Sequence, residues 1–269
     1  MIKLGVIGCG NMGGAMLRQL LKCGILQPGE VLAADKNEAL LGSIKKETGI
    51  GVTSDNRQAA KASMVLLAVK PQFISEVAEE IREAVPAQTL ILSIVTGYSV
   101  EALQKMLGLP HGAVIRVMPN TPALVGEGVL AACRSPQVTD AQWQSALQVL
   151  SCMGLAEEVP ERLMDAVTGL SGSSPAFAFL FLEALSDAGV RGGLPRDMAK
   201  RFAAQTLLGS AKLALETGMH PGQLKDMVTS PAGTTIEGVA ALEKDGFRYA
   251  VMDAVDAAIR RAKALGEKK

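Results

Sequence analysis

The sequence predicts an α/β fold, with a doubly wound, mostly parallel sheet in the N-terminal half and helices alone in the C-terminal half. Short apolar runs of strand length alternate with helical stretches of about 10 residues through the first half. A glycine-rich loop directly follows the first apolar run, and strand signals vanish from about Glu161 onward. We therefore expect two domains, residues 1–160 and residues 161–269.

The composition excludes several classes of protein. Lys plus Arg equals Asp plus Glu at 27 each, so no basic field would gather nucleic acid or anionic lipid. No apolar run approaches the ~18 residues of a membrane span, and no signal-peptide pattern is present. The 4 cysteines are widely spaced and only 2 histidines occur, which favours neither a metal site nor a disulfide framework. We expect a soluble protein of the reducing cytoplasm.

The glycine-rich loop indicates a dinucleotide site of the Rossmann type. It follows the apolar run Ile2–Ile7, precedes a predicted helix Gly14–Lys22, and consists of Gly8, Cys9, Gly10, Asn11, Met12 and Gly13. The first glycine permits a tight turn, the second lets the backbone approach a pyrophosphate, and the third lets the helix pack on the strand. The helix N-terminus then presents free N–H groups to the phosphates. The alternative is a glycine-rich turn without a ligand, and Cys9 is expected to be a packing residue rather than a redox centre.

The second predicted strand, Glu30–Asp35, ends in an acid. Asp35 lies 22 residues after Gly13, close to where a carboxylate accepts the hydroxyls of an adenosine ribose. The alternative is a strand-end aspartate that caps the next helix.

The rest of this half continues the alternation. Further strands are predicted over Gly51–Thr53, Met64–Val69, Thr89–Val95, Ala113–Met118, Gly128–Cys133 and Ala156–Val159. Helices are predicted over Glu38–Thr48, Asn56–Ala62, Ile74–Ala84, Val100–Leu107 and Asp140–Cys152. Three strands end in loops that hold Lys70, Thr96 and Asn120, at the carboxyl edge where open α/β sheets bind ligands. Lys70 would face a cofactor there or merely cover the sheet edge.

The C-terminal half begins with an unusually apolar helix. Ser174 is predicted as its N-cap, with Pro175 in the first turn of a helix over Ala176–Ala188. The run Phe177–Leu182 is apolar on every face, so the helix must be surrounded. We expect a dimer through these helices, and the alternative is the central helix of a monomeric bundle. Later helices are predicted to begin at Leu194-Pro195, Pro221, Thr235 and Phe247.

A polar stretch, Val228–Glu237, stands out in the helical half. Thr234-x-x-Glu237 has the pattern of a capping box, so the loop Ser230–Gly233 should lead into a helix N-terminus rich in hydroxyls and free N–H groups. Such a helix end can hold a carboxylate. The alternative is a well-capped helix with no ligand.

Several motifs, in order along essentially the whole chain, resemble those of the pyrroline-5-carboxylate reductase family. In the N-terminal half they are Gly8-Cys-Gly-Asn-Met-Gly, Ala68-Val-Lys-Pro and Met118-Pro-Asn-Thr-Pro. In the C-terminal half they are Thr168-Gly-Leu-Ser-Gly-Ser-Ser-Pro-Ala-Phe-Ala-Phe, Gly193-Leu-Pro-Arg, His220-Pro-Gly-Gln-Leu-Lys-Asp-Met-Val and Ser230-Pro-Ala-Gly-Thr-Thr-Ile-Glu.

The resemblance implies a Rossmann domain followed by an α-helical dimerisation domain, in a family whose dimers commonly assemble into rings. It implies reduction of the cyclic imine 1-pyrroline-5-carboxylate to L-proline by NADPH or NADH, the last step of proline synthesis. By motif match the substrate carboxylate would be held by Ser230, Gly233, Thr234 and Thr235. The cofactor would be lined by Gly8–Gly13, Asn56, Val69, Lys70 and Thr96, with Asn120 near the nicotinamide. Thr235 is the candidate catalytic residue, either as proton donor or as a hydrogen-bond partner of the ring nitrogen.

Two questions stay open at the level of sequence. A 2′-phosphate of NADPH would meet the negative charge of Asp35, although Lys36 and Asn37 could accommodate it if the chain turns them inward. The competing functions are another small Rossmann reductase, such as one acting on 3-hydroxy acids, and a dinucleotide sensor without catalysis.

Overall fold

A computed structural model describes residues 2–266, so Met1 and residues 267–269, at the ends of the two predicted domains, lie outside the described residues. The chain divides into two compact units. The N-terminal unit comprises Met1–Gly172 with Ile259–Lys269, and the helical unit comprises Ser173–Ala258.

The N-terminal unit is built on an eight-stranded sheet in the order β3-β2-β1-β4-β5-β6-β7-β8. Neighbouring strands are parallel except β6 and β7, which are antiparallel, so the predicted doubly wound, mostly parallel sheet is confirmed. The strands are β1 Leu4–Ile7, β2 Val31–Ala34, β3 Gly51–Thr53, β4 Met64–Leu67, β5 Leu90–Ser93, β6 Ala113–Met118, β7 Gly128–Arg134 and β8 Gly154–Glu158.

Helices cover both faces of this sheet. They are α1 Asn11–Lys22, α2 Glu38–Thr48, α3 Asn56–Ala59, α4 Ile74–Ile81, α5 Val100–Met106, α6 Asp140–Ser151 and α7 Met164–Val167. Successive strand residues point to opposite faces. In β5, Leu90 and Leu92 therefore join one apolar cluster, with α1, α2 and α6, while Ile91 joins the other, with α3, α4 and α5. Burial on both faces explains why β1, β2 and β4, in the middle of this order, are apolar throughout.

Several predicted boundaries are wrong by a few residues. Helix α1 begins at Asn11 rather than Gly14, because the chain enters the helix directly after Gly10, its N-cap. Helices α3 and α4 end earlier than predicted, at Ala59 and Ile81. Strand β2 ends at Ala34, so Asp35 lies just beyond the ladder.

The segment Glu161–Gly172 belongs with the N-terminal unit, beyond the predicted boundary at residue 160. Its Met164 is buried in the apolar cluster that contains Ile91. The Glu161 carboxylate accepts hydrogen bonds from the Val100 N–H at 2.8 Å and from the Arg116 guanidinium at 3.1 Å. These contacts explain why the compact unit extends to Gly172.

The helical unit contains helices alone among its described elements, as predicted. They are α8 Ser174–Arg191, α9 Arg196–Thr217, α10 Pro221–Met227, α11 Thr234–Lys244 and α12 Phe247–Gly266. The end of α12, from Ile259 onward, is assigned to the N-terminal unit. The prediction of Ser174 as the N-cap is wrong. Ser174 lies in the first turn and follows Ser173, whose backbone is already helical and whose side chain makes no cap bond.

The helical unit buries little of its apolar surface within the chain. Helices α8 and α9 pack closely where Gly189 faces Ala199, since a Cβ atom on Gly189 would lie 3.1 Å from the Ala199 Cβ. Yet Phe179 and Leu180 on α8 are 62% and 68% exposed. Exposed apolar surface on this scale marks an interaction surface. Across the described part of the chain, no helix is long and apolar enough to cross a membrane.

Candidate active site

The three glycines of the N-terminal loop have three different surroundings. Gly8 has a φ of 95°, and a Cβ atom there would meet the backbone of Ala68 and Val69 at 2.8 Å. A Cβ atom on Gly13 would lie 2.1 Å from the Gly8 carbonyl oxygen, so α1 can pack against the loop only through a glycine. A Cβ atom on Gly10 would meet nothing within 4 Å. Gly10 therefore leaves an open approach to the N-terminus of α1, as a bound diphosphate requires.

A cavity of about 420 Å³ lies beside this loop. Six of the predicted cofactor residues line it: Gly8, Gly10, Asp35, Asn56, Val69 and Lys70. They come together because β1, β2 and β4 are parallel neighbours whose carboxyl ends meet at one edge of the sheet. The other predicted residues of the loop do not line this cavity. They lie in the loop or in the first turn of α1, and they are Cys9, Asn11, Met12 and Gly13.

Asp35 is held by the loop and by its own turn. Its Oδ2 accepts a hydrogen bond from the Cys9 N–H at 2.7 Å, and its Oδ1 accepts one from the Asn37 N–H at 2.9 Å. The carboxylate therefore fixes the shape of the glycine loop in addition to facing the cavity. The position of Asp35 in the sequence, 22 residues after Gly13, did not predict that it also holds the glycine loop.

Lys36 and Asn37 line the same cavity, but other groups already engage both side chains. The Lys36 ammonium lies 2.5 Å from the Glu76 carboxylate, and this hydrogen bond raises the pKa of Lys36. The Asn37 side chain accepts a hydrogen bond from the Leu40 N–H at 3.0 Å and so caps α2. Lys36 thus lines the cavity, and Glu76 partly neutralises its charge.

Asn56 and Cys9 are buried at the edges of the site. Asn56 begins α3, and its Nδ2 donates to Glu80 Oε2 at 2.8 Å. The Cys9 thiol donates to the Ala34 carbonyl at 3.6 Å. Burial, followed by the nearby Asp35 charge, raises the pKa of Cys9 to about 12, which keeps the thiol protonated and matches a packing residue.

Thr96 and Asn120 follow β5 and β6 at the same carboxyl edge, outside the lining of the cavity. Thr96 is exposed. Asn120 is buried, with Nδ2 donating to the Ser171 carbonyl at 3.0 Å and Oδ1 accepting from the Val129 N–H at 2.9 Å. The Asn120 amide therefore ties the loop after β6 to β7 and to the short π-helix Thr168–Gly172.

The sequence missed residues of α4 and of the turn before it. Phe73, Glu76 and Val77 all line the cavity, and Phe73 is 48% exposed. The one available signal was their position directly after Lys70-Pro71, since the element that follows a loop at the ligand edge borders the same site.

The loop Ser230–Gly233 leads into α11 in the helical unit, as predicted. A Cβ atom on Gly233 would lie 2.3 Å from Ser230 Oγ, so any side chain there would force the Ser230 hydroxyl to move. Ala232 has a φ of 53°, which is unusual for a residue with a side chain. Such strain persists where surrounding structure imposes it, and it is frequent at ligand sites.

The predicted capping box is wrong. Gly233 is the N-cap of α11, it has no side chain to cap with, and Thr234 lies already in the first turn. The hydroxyls of Ser230, Thr234 and Thr235 are all on exposed residues. Within the described residues, the first turn of α11 therefore lacks a side-chain cap, which leaves its N–H groups to meet an anion.

Metal binding finds no support among residues 2–266, where no group of three or more His, Cys, Asp and Glu side chains is arranged to hold an ion.

Comparison with known proteins covers both units. Residues 161–265 match the family model described as pyrroline-5-carboxylate reductase dimerisation, and residues 3–97 match the model described as NADP oxidoreductase coenzyme F420-dependent. The chain is 46% identical to the pyrroline-5-carboxylate reductase of Methanosarcina acetivorans, over 99% of this chain and 98% of that protein.

Solved structures agree. The pyrroline-5-carboxylate reductase of Coxiella burnetii superposes with a TM-score of 0.92 at 34% identity, and 98% of each chain is covered. The Plasmodium falciparum pyrroline carboxylate reductase, solved with NADP bound, has a TM-score of 0.88, 34% identity and 98% coverage of each chain. With relatives this similar over nearly its full length, the chain belongs to the pyrroline-5-carboxylate reductase family.

Proposed function

We propose that this protein is an NAD(P)H-dependent oxidoreductase that reduces 1-pyrroline-5-carboxylate to L-proline. The observation that carries the proposal is the open approach at Gly10, at the N-terminus of α1 and beside the 420 Å³ cavity, in a chain that matches reductases of this family from end to end. The NADP bound in the Plasmodium falciparum relative supports the same class of cofactor here.

The N-terminal unit would hold the cofactor, whose reduced nicotinamide supplies the hydride. The first-turn N–H groups of α1 donate to the diphosphate, and Asp35 keeps the glycine loop in shape through the Cys9 N–H. Val69 and Lys70 face the cavity from the end of β4, with the Lys70 ammonium available to a phosphate or to the nicotinamide amide. Asn120 acts by holding its loop, and a direct contact with the nicotinamide stays a prediction.

The helical unit would hold the substrate carboxylate at the N-terminus of α11. Backbone N–H groups after Gly233 and the hydroxyls of Ser230 and Thr234 are donors of the kind a carboxylate needs. Reduction of the C=N bond also places a proton on nitrogen, either already present as an iminium or delivered with the hydride. Thr235 would hydrogen-bond the ring nitrogen, and a direct role as the acid stays a prediction.

The helical half of the chain also supports oligomerisation. The dimerisation model covers residues 161–265, and the apolar face of α8 is exposed in the single chain. We infer a homodimer through these helices. Further assembly into a ring of dimers and a cytoplasmic location stay predictions, tested by sedimentation of the purified protein and by fractionation of cells.

The decisive assay is proline-dependent reduction of NAD(P)+ at high pH, run beside a 3-hydroxy acid as the competing substrate. We expect reduction with L-proline and none with the hydroxy acid. The opposite pattern would favour the other class of Rossmann reductase. Cofactor binding without turnover of either compound would instead indicate a dinucleotide sensor.

A further inference from the structure

Two cysteines on the surface of the N-terminal unit lie side by side although they are 129 positions apart. Cys23 is the C-cap of α1 and Cys152 is the C-cap of α6. The Cys23 thiol donates a hydrogen bond to the Cys152 carbonyl oxygen at 3.7 Å, which places the Cys23 sulfur against the backbone of Cys152. Neither belongs to the cavity beside the glycine loop.

The other two cysteines differ from this pair in exposure. Cys9 and Cys133 are buried, and burial raises the pKa of each to about 12. Cys23 is exposed and Cys152 is half-buried. An oxidant in solution therefore reaches Cys23 first and finds the second thiol adjacent.

We propose that Cys23 and Cys152 form a reversible intramolecular disulfide when the protein meets a peroxide. Hydrogen peroxide oxidises the Cys23 thiol to a sulfenic acid and releases one water. The Cys152 sulfur then attacks the Cys23 sulfur, the S–S bond forms, and the sulfenic oxygen leaves as a second water. The two thiols lose two electrons and two protons, and the peroxide is reduced to two waters.

The chemical setting of Cys152 controls how fast the disulfide forms. Burial and the adjacent Cys23 thiol raise the pKa of Cys152 to about 12. Cys152 also sits at the C-terminus of α6, where the negative end of the helix dipole disfavours a thiolate. The reaction should therefore be slow at neutral pH and faster as the pH rises.

The crosslink would stabilise the N-terminal unit without touching the cofactor site. It would close a loop of 129 residues, and a long closed loop restricts the unfolded chain strongly. The glycine loop lies at the opposite end of α1, a helix of 12 residues that spans about 18 Å. We expect Tm to rise by roughly 5 °C on oxidation, with cofactor affinity unchanged within about twofold.

The experiment treats the full-length protein with hydrogen peroxide and digests it with trypsin without reducing agent. Trypsin separates the cysteines into four peptides, residues 4–18, 23–36, 117–134 and 135–162. The expected product is peptide 23–36 linked to peptide 135–162 within one chain, together with the rise in Tm, both reversed by dithiothreitol.

Surface variants provide the controls. Cys23→Ser and Cys152→Ser should fold normally, form no link and show no rise in Tm, whereas Cys133→Ser should behave as the wild type. Linkage between separate chains, over-oxidation of Cys23 without the link, or an equal rise in Tm in both surface variants would overturn the proposal.

Discussion

The two units differ in where their apolar side chains lie. In the N-terminal unit, strand residues such as Val6 and Ile91 are fully buried between helices on the two faces of the sheet. In the helical unit, Phe179 and Leu180 are more than half exposed. The burial of one such side chain contributes about 1.5–3 kcal/mol. The N-terminal unit thus supplies its own core, whereas the helical unit needs a second copy to cover its apolar face.

The largest effect is expected from a charge on that face. Leu180→Asp should convert the oligomer to single chains and abolish proline-dependent activity, because a carboxylate cannot be buried there unpaired. Light scattering measures the mass. Leu155→Asp is the matched control, since Leu155 on β8 is 53% exposed on the N-terminal unit and should leave the mass unchanged. Retention of the oligomer by Leu180→Asp would contradict the contrast between the units.

The second prediction separates folding from cofactor binding within the N-terminal unit. A Cβ atom on Gly10 meets nothing in the chain, so Gly10→Val should leave Tm within about 2 °C while raising the cofactor KM at least about tenfold. Gly29→Val is the control. A Cβ atom on Gly29 also meets nothing within 4 Å, but Gly29 is not part of the glycine loop. Gly13→Ala should instead lower Tm, since its Cβ would lie 2.1 Å from a carbonyl oxygen. An unchanged KM in Gly10→Val would remove the loop from the cofactor site.

The third prediction concerns the exposed loop of the helical unit. Thr235→Ala should lower kcat/KM for the imine at least about tenfold, and about a hundredfold if the hydroxyl is the acid, with cofactor affinity unchanged. Thr235→Ser should restore most of the rate. The control is Thr206→Ala on α9, whose hydroxyl donates within its own helix to the Phe202 carbonyl. Unchanged turnover of Thr235→Ala would exclude the residue from catalysis.

A smaller effect, on cofactor preference, is expected from substitution of Asp35. Asp35→Ser replaces a carboxylate that accepts two backbone hydrogen bonds and faces the cavity. Use of NADH relative to NADPH, measured as the ratio of kcat/KM values, should fall roughly fivefold, because the ribose loses its acceptor and a 2′-phosphate loses a repelling charge. An unchanged ratio would limit the role of Asp35 to holding the shape of the glycine loop.

The smallest effect is expected at Glu76. Glu76→Gln removes the negative partner of Lys36, so the lysine charge becomes available to a 2′-phosphate and preference for NADPH should rise about twofold. Glu79→Gln is the matched control, on the same helix but outside the lining of the cavity. Equal ratios in the two variants would show that the Lys36–Glu76 pair does not set cofactor choice.

The sequence predicted elements better than their ends and caps. The continuous apolar run Met64–Val69 contains the observed strand Met64–Leu67, because a doubly buried strand admits little else. The prediction of a capping box at Thr234 was wrong because α11 begins one residue earlier than the pattern implies, with Gly233 as its N-cap. The boundary after residue 160 stays a prediction: the matched dimerisation model begins at residue 161, whereas the compact unit of the structure runs on to Gly172 through the contacts of Glu161 with Val100 and Arg116.

The sequence by itself determined the alternation of strands and helices, the glycine loop, the family and the apolar helix α8, because each depends on local backbone geometry or on short motifs. Only the tertiary structure decided that Asp35 braces the glycine loop, that Asn120 is engaged by Ser171 and Val129, and that Cys23 lies against Cys152. These contacts depend on which strands become neighbours and how helices lie on the sheet. Packing across the whole chain sets that arrangement, and no local pattern encodes it.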